Sequence, residues 1–171
     1  MRAYRADSFS GLKIKNLREL KKIISNLKSR RKKIVFTNGC FDLLHYGHVR
    51  YLEDAKKKGD ILVVAVNSDA SIRRIKGNNR PILGEKDRLS IIAALESVDY
   101  VISFNQDTPL KIIKALKPDV LIKGSDWNIK TMVGADFVLS YGGRVSTVKL
   151  IPSRSTTNLI KTIAQRFQKT N

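Results

Sequence analysis

The only two histidines of the chain, His45 and His48, are separated by Tyr46-Gly47. An imidazole at such a spot donates to a phosphate oxygen and stabilises the negative charge that builds during phosphoryl or nucleotidyl transfer. Gly47 permits close backbone approach beside them. Two histidines three apart also suit zinc, but no further His or paired Cys completes a ligand set, so zinc is the weaker reading. A second candidate is Arg154-Ser155-Thr156-Thr157. Hydroxyls and free N–H groups at a helix start hold phosphate, and Arg154 adds a guanidinium. Alone, that run reads equally well as ordinary N-cap residues. Beside the histidine loop it becomes the second of two phosphate clamps. Cys40 is the sole cysteine, so no internal disulfide forms, and nothing nearby completes a catalytic cysteine pattern.

Something must position these groups. Ile34 to Thr37 is a short apolar β-branched run that breaks at Asn38-Gly39 and restarts as a helix near His48. The helix start therefore faces the same point as both imidazoles. Upstream, Asn16 and Glu19 have the spacing of a capping box for a helix over 16–29, with Leu17, Leu20, Ile23, Ile24 and Leu27 as its buried stripe. Lys56-Lys57-Lys58 complements the end of the next helix, and Gly59 has the place of its left-handed cap. Ile61 to Val66 is a second buried strand, with Asn67-Ser68-Asp69 at its C-terminal end, where open α/β sheets bind ligands.

Further on, Ser71 to Ile75 reads as one helical turn, and Lys76 to Pro81 as a mobile basic loop. A helix over Glu85 to Leu95 turns Leu89, Ile92 and Ala93 inward, with Arg88 on a different side. Strands follow at Tyr100–Phe104, Val120–Ile122 and Arg144–Ile151. Between them lie a helix capped by Thr108 with Pro109 at its first position, and another over Val133–Tyr141. A final helix carries Leu159, Ile160 and Ile163. Five strands alternating with helices predict a Rossmann-like, doubly wound, five-stranded parallel sheet covered on both faces. We expect an N-terminal arm over 1–11 and a single domain over 12–171.

Composition narrows the function classes. The net charge is +18, and residues 1–33 carry twelve Lys/Arg against two Asp/Glu, more than half of the excess. A basic face can meet nucleic acid, but no aromatic run accompanies these residues as single-strand readers require, so nucleic-acid binding is not expected. No apolar run approaches the length of a membrane span and no secretory leader is visible, so a cytoplasmic location is expected. Neither GxGxxG nor GxxxxGK[ST] occurs, which disfavours Rossmann dehydrogenases and P-loop kinases.

Thr37-Asn38-Gly39-Cys40-Phe41-Asp42, His45-x-Gly47-His48, Lys123-Gly124-Ser125-Asp126-Trp127 and Arg154-Ser155-Thr156-Thr157 occur in an order that resembles the cytidylyltransferase-like nucleotidyltransferases. Val66-Asn67-Ser68-Asp69, Arg80-Pro81-Ile82, Asp87-Arg88 and Asp107-Thr108-Pro109-Leu110 bring the chain nearest to the heptose 1-phosphate adenylyltransferase branch. The resemblance covers about Leu12 to Ile163. It implies attack of a sugar 1-phosphate oxygen on the α-phosphorus of ATP, with release of pyrophosphate.

In that scheme His45, His48 and Lys123 are catalytic. Backbone groups of Asn38, Gly39, Cys40 and Phe41 line the phosphate pocket beside Gly47, Thr37 lies at its entrance, and Asp42 braces the loop on the substrate side. Arg154, Ser155, Thr156 and Thr157 grip the β- and γ-phosphates. Gly124, Asp126 and Trp127 lie beside the nucleoside. Asp69, Lys76 and Arg88 serve the acceptor, with Lys76 and Arg88 anchoring its phosphate. Mg²⁺ arrives on the ATP phosphates, with no side-chain ligand. Tyr46 replaces the family's usual proline, a change expected to relax that turn. The resemblance also implies a homodimer and a separate sugar kinase supplying the acceptor. The rival reading is a CTP-dependent cytidylyltransferase acting on glycerol 3-phosphate or a related alcohol phosphate. A more distant rival is a non-catalytic RNA-binding module.

Overall fold

In the computed structural model, residues 11–152 and 154–167 are described. The arm expected over residues 1–11 therefore lies, apart from Gly11, outside the described residues. Gly11–Lys13 forms a 3₁₀ turn, after which Ile14 bridges Val101 in parallel. The elements then run in order: α1 (Leu17–Ser29), β1 (Ile34–Gly39), α2 (Tyr46–Lys56), β2 (Ile61–Asn67), α3 (Asp69–Lys76) and α4 (Glu85–Ala93). They continue with β3 (Tyr100–Phe104), α5 (Leu110–Leu116), β4 (Val120–Gly124), α6 (Ala135–Ser140), β5 (Arg144–Val148) and α7 (Thr156–Phe167). A second 3₁₀ turn, Ile129–Thr131, precedes α6.

The five strands are all parallel in the order β3-β2-β1-β4-β5. This is the doubly wound arrangement the alternation predicted. Side-chain alternation on the strands feeds two cores. On one face Phe36, Val63, Ala65, Ile102 and Leu121 pack against Leu20 and Ile24 of α1, Ile112 and Ile113 of α5, and Val138 of α6. On the other, Val35, Leu62, Val64, Val66 and Ile122 pack against Leu52 and Ala55 of α2 and Ile92 of α4. The backbone crosses from one side of β1 to the other between β3 and β4. That crossing opens a crevice at the C-terminal ends of β1 and β4, where such sheets hold ligands.

Local details follow the sequence closely, with exceptions. The Asn16–Glu19 capping box is complete, both reciprocal bonds being present. The helix α3 runs over two turns from Asp69 instead of one. Pro109 is the N-cap of α5 and Leu110 its first residue. Gly59 is not a left-handed cap. It allows tight packing, since a Cβ there would lie 2.7 Å from Val35 Cγ2 and 2.9 Å from the Lys33 carbonyl. The helix α7 buries no residue, and Leu159 and Ile163 remain exposed. Among the described residues no helix is long and apolar enough to cross a membrane.

Candidate active site

At the crevice lies a cavity of about 800 Å³. The loop after β1 contributes Asn38, Gly39, Cys40, Phe41 and Asp42. The start of α2 adds His45, Gly47 and His48, and the end of β4 adds Lys123, Gly124, Asp126 and Trp127. Arg154, Ser155, Thr156 and Thr157 close it from the start of α7, Lys76 from the end of α3 and Arg80 from the loop that follows. The two clamps inferred from sequence thus meet across one space, although more than a hundred residues separate them in the chain.

The histidine clamp has an unusual economy of hydrogen bonds. His45 is the N-cap of α2, yet no side chain caps this helix. The two imidazoles stack with centroids 3.9 Å apart, and Phe41 meets His48 edge-on at 5.3 Å. The Nδ1 atoms of both rings and the Oδ1 of Asn38 are buried without a hydrogen-bond partner. Burial, then the neighbouring His45 and Lys76, push His48 down to about 4. Burial and the Arg154 guanidinium lower His45 as well. His48 is therefore neutral at pH 7, with one ring nitrogen as a donor.

Gly47 sits in a tight space. A Cβ there would stand 3.0 Å from His45 Nδ1 and 3.1 Å from the Arg154 carbonyl, so the glycine lets the second clamp close onto the first. Tyr46 takes the first helical position of α2, a place where proline is ordinarily at home. Its ring is exposed, and the helix begins there without displacement.

The second clamp is joined to the first through Thr156 Oγ1, which donates to the Leu43 carbonyl at 3.4 Å. Ser155 Oγ accepts the Asn158 N–H at 3.1 Å and so acts as the N-cap of α7. Lys123 crosses beneath the cavity to donate to the Asn38 carbonyl at 3.0 Å, with its ammonium 5.1 Å from the centroid of the Trp127 ring. Burial lowers it to about 8, against the opposing pull of Cys40 and Asp126. Burial likewise raises the Cys40 thiol, outweighing Lys76, Arg88 and Arg80, so it is not an activated nucleophile.

Three expected site residues lie elsewhere. Thr37 is fully buried, its Oγ1 2.5 Å from Tyr51 Oη and donating to the Ile122 carbonyl at 3.0 Å, so it stands behind the pocket and not at its entrance. Arg88 is fully buried and takes no part in the cavity lining. Its guanidinium donates to the carbonyls of Cys40 (2.6 Å), Asn67 (2.8 Å) and Leu83 (3.0 Å) and to Asp69 Oδ1 (2.8 Å). It is an internal brace, and Asp69 is its counter-ion. Spacing held a clue, because Arg88 and Ile92 are four apart on α4 and share its inner face.

Asp42 lines the cavity, but its carboxylate serves the loop after α3. It accepts the N–H groups of Ile82 and Leu83 at 2.8 and 2.9 Å and Arg80 Nε at 2.6 Å. Burial works to raise its carboxyl, yet these three donors hold it below the ordinary range. The basic loop expected to be mobile is thereby tethered. Arg80 is not among the expected site residues. The one available signal was its place in the cluster Lys76 to Pro81.

A family model described as Cytidylyltransferase-like matches residues 36–167. The Bifunctional protein HldE of Geobacter metallireducens is 56% identical over 160 residues, which are 94% of this chain and 33% of that protein. The protein of the same name from Pelobacter propionicus is 52% identical over 162 residues, covering 95% and 33%. The chain thus spans about a third of the length of these curated relatives. Among solved structures, the lipopolysaccharide core biosynthesis protein from Thermoplasma volcanium superposes with a TM-score of 0.57 at 34% identity, over 70% of this chain and 97% of that one. Pantoate-beta-alanine ligase from Francisella tularensis gives a TM-score of 0.59 over 92% and 81% of the two chains. At 15% identity it shows a likeness of fold alone. With its histidine pair and second clamp facing each other at the switch point of a doubly wound sheet, the chain belongs to the cytidylyltransferase-like nucleotidyltransferases.

Proposed function

We propose that the protein transfers AMP from ATP to D-glycero-β-D-manno-heptose 1-phosphate, giving ADP-heptose and pyrophosphate. The observation that carries this reading is the convergence of two helix starts, two imidazoles and Lys123 on one cavity at the sheet's switch point. The motifs shared with the heptose branch, and relatives that include a lipopolysaccharide core biosynthesis protein, support the choice of acceptor.

In the reaction an acceptor phosphate oxygen forms a bond to the α-phosphorus as the bond to the bridging oxygen of pyrophosphate breaks. His45 and His48 donate to the phosphoryl oxygens as charge builds on them, and Lys123 adds a cation held close by Asn38. Arg154, the hydroxyls of Thr156 and Thr157 and the first N–H groups of α7 receive the leaving pyrophosphate. Backbone groups of Asn38 to Phe41 line the phosphates, while Asp126 and Trp127 wall the nucleoside. In this reading Mg²⁺ arrives on the triphosphate oxygens. When bound, Mg²⁺ offsets the phosphate charge.

A pyrophosphate-release assay crossing ATP and CTP with the heptose 1-phosphate and glycerol 3-phosphate tests the reading. Turnover is expected with ATP and the heptose phosphate. Turnover with CTP and glycerol 3-phosphate instead would replace it with the cytidylyltransferase reading.

A further inference from the structure

The cavity is lined by four cationic side chains, Lys76, Arg80, Lys123 and Arg154. Arg154 lies close enough to His45 to lower its basicity, and Lys76 does the same to His48. Nucleotidyl transfer places the attacking and leaving oxygens roughly in line on opposite sides of phosphorus. With Arg154 assigned to the leaving pyrophosphate, Lys76 and Arg80, which line the cavity from a different segment, are left for the acceptor. Arg88 cannot serve there, because its guanidinium is buried and committed to backbone carbonyls and Asp69.

Arg80 has the geometry that Arg88 lacks. Its side chain is 15% exposed and lines the cavity. Its Nε is held 2.6 Å from Asp42 Oδ2, a carboxylate only 1% exposed. The two terminal amino groups have no hydrogen-bond partner among the described residues. An arginine anchored through Nε and open at its other end presents a fork that suits a phosphate, with little freedom left to lose on binding. The anchor is itself fixed. Asp42 accepts the Ile82 and Leu83 N–H groups, and Arg88 ties the Leu83 carbonyl and the Cys40 carbonyl to one guanidinium.

We propose that Arg80, aimed by Asp42, is the guanidinium that receives the acceptor's phosphate. This rests on the reading of the cavity as a nucleotidyl-transfer site with a phosphate-bearing acceptor. A simpler role for Arg80, neutralising buried Asp42, predicts effects on stability alone.

The test compares R80K and R80A with the wild-type chain, using whichever acceptor phosphate gives pyrophosphate release in the crossed assay. R80K keeps a cation for Asp42 but loses the planar fork. Nucleotide affinity is read independently from the fluorescence of Trp127, the sole tryptophan, which lines the cavity. The expected result for R80K is a rise of about tenfold in acceptor KM, with kcat and nucleotide affinity within about twofold. R80A gives a larger rise if it folds; if it does not, R80K decides. An unchanged acceptor KM in R80K, or weakened nucleotide affinity with acceptor KM intact, overturns the proposal. A KM shift measured with glycerol 3-phosphate retains the role of Arg80 while rejecting the heptose reading. Absence of turnover with every pair removes both.

Discussion

The two edges of the sheet treat polar groups in opposite ways. Where the strands begin, aspartates serve the backbone. Asp60 accepts the Lys33 N–H at 2.7 Å, Asp119 that of Ile34 at 2.8 Å, and Asp99 that of Leu62 at 2.6 Å. Where the strands end, buried acceptors and ring nitrogens on Asn38, His45 and His48 have no partner. The N-terminus of α2, which carries the histidines, has no side-chain cap, unlike α7 across the cavity, capped by Ser155, and unlike α1 with its complete capping box. An unmade buried hydrogen bond costs stability. Concentrating such groups around one cavity marks the place where a ligand completes them.

Substitutions can break this contrast from either side. The largest effect is expected for His48→Ala. Its ring stacks on His45 and meets Phe41 edge-on, so the melting temperature should fall somewhat while the fold persists. The rate should fall about 100-fold, roughly 3 kcal/mol of transition-state stabilisation. Single-turnover pyrophosphate release beside a thermal melt checks both halves. Near-normal turnover would remove His48 from the chemistry.

Next in size is a pH effect. Lys123, lowered to about 8 by burial, is charged below that pH and loses its proton above it. We expect kcat/KM to fall with rising pH above about 8, by about tenfold near pH 9. In Lys123→Arg the guanidinium stays protonated, so the alkaline limb should disappear even if the plateau is lower. A limb that survives in that variant assigns it to another group.

The opposite edge should give the mirror result. Asp99 accepts the Leu62 N–H and pairs with Lys56 at 2.5 Å. Asp99→Asn should cost about 1 kcal/mol in denaturant unfolding and leave kcat unchanged. A drop in kcat without loss of stability would show that the two edges are coupled.

Much of this was legible in the residues. Local signals sufficed for the capping box at Asn16 and the strand at Ile61, because each depends on neighbours a few positions apart. The break expected at Asn38-Gly39 comes later, since both residues stay in β1 and pair with Ala65 and Val66 of β2. Orientation of long side chains was less legible. Arg80 and Arg88 sit eight residues apart, and from the residues alone Arg88 is the expected phosphate anchor while Arg80 has no assigned role. One is held at the cavity wall by Asp42, and the other is enclosed by three carbonyls and Asp69. Thr37 was placed at an entrance, but it follows three buried strand residues and is sealed by Tyr51 from α2.

Periodicity and turn chemistry are local, so the alternating elements, the parallel sheet and the residue types lining the cavity can be read along the chain. That Gly47 lets Arg154 approach His45, that Asp42 holds Arg80 and that Arg88 braces from within emerges from the fold. Those outcomes depend on which strands become neighbours and how closely their loops approach, and no stretch of the chain carries that information alone.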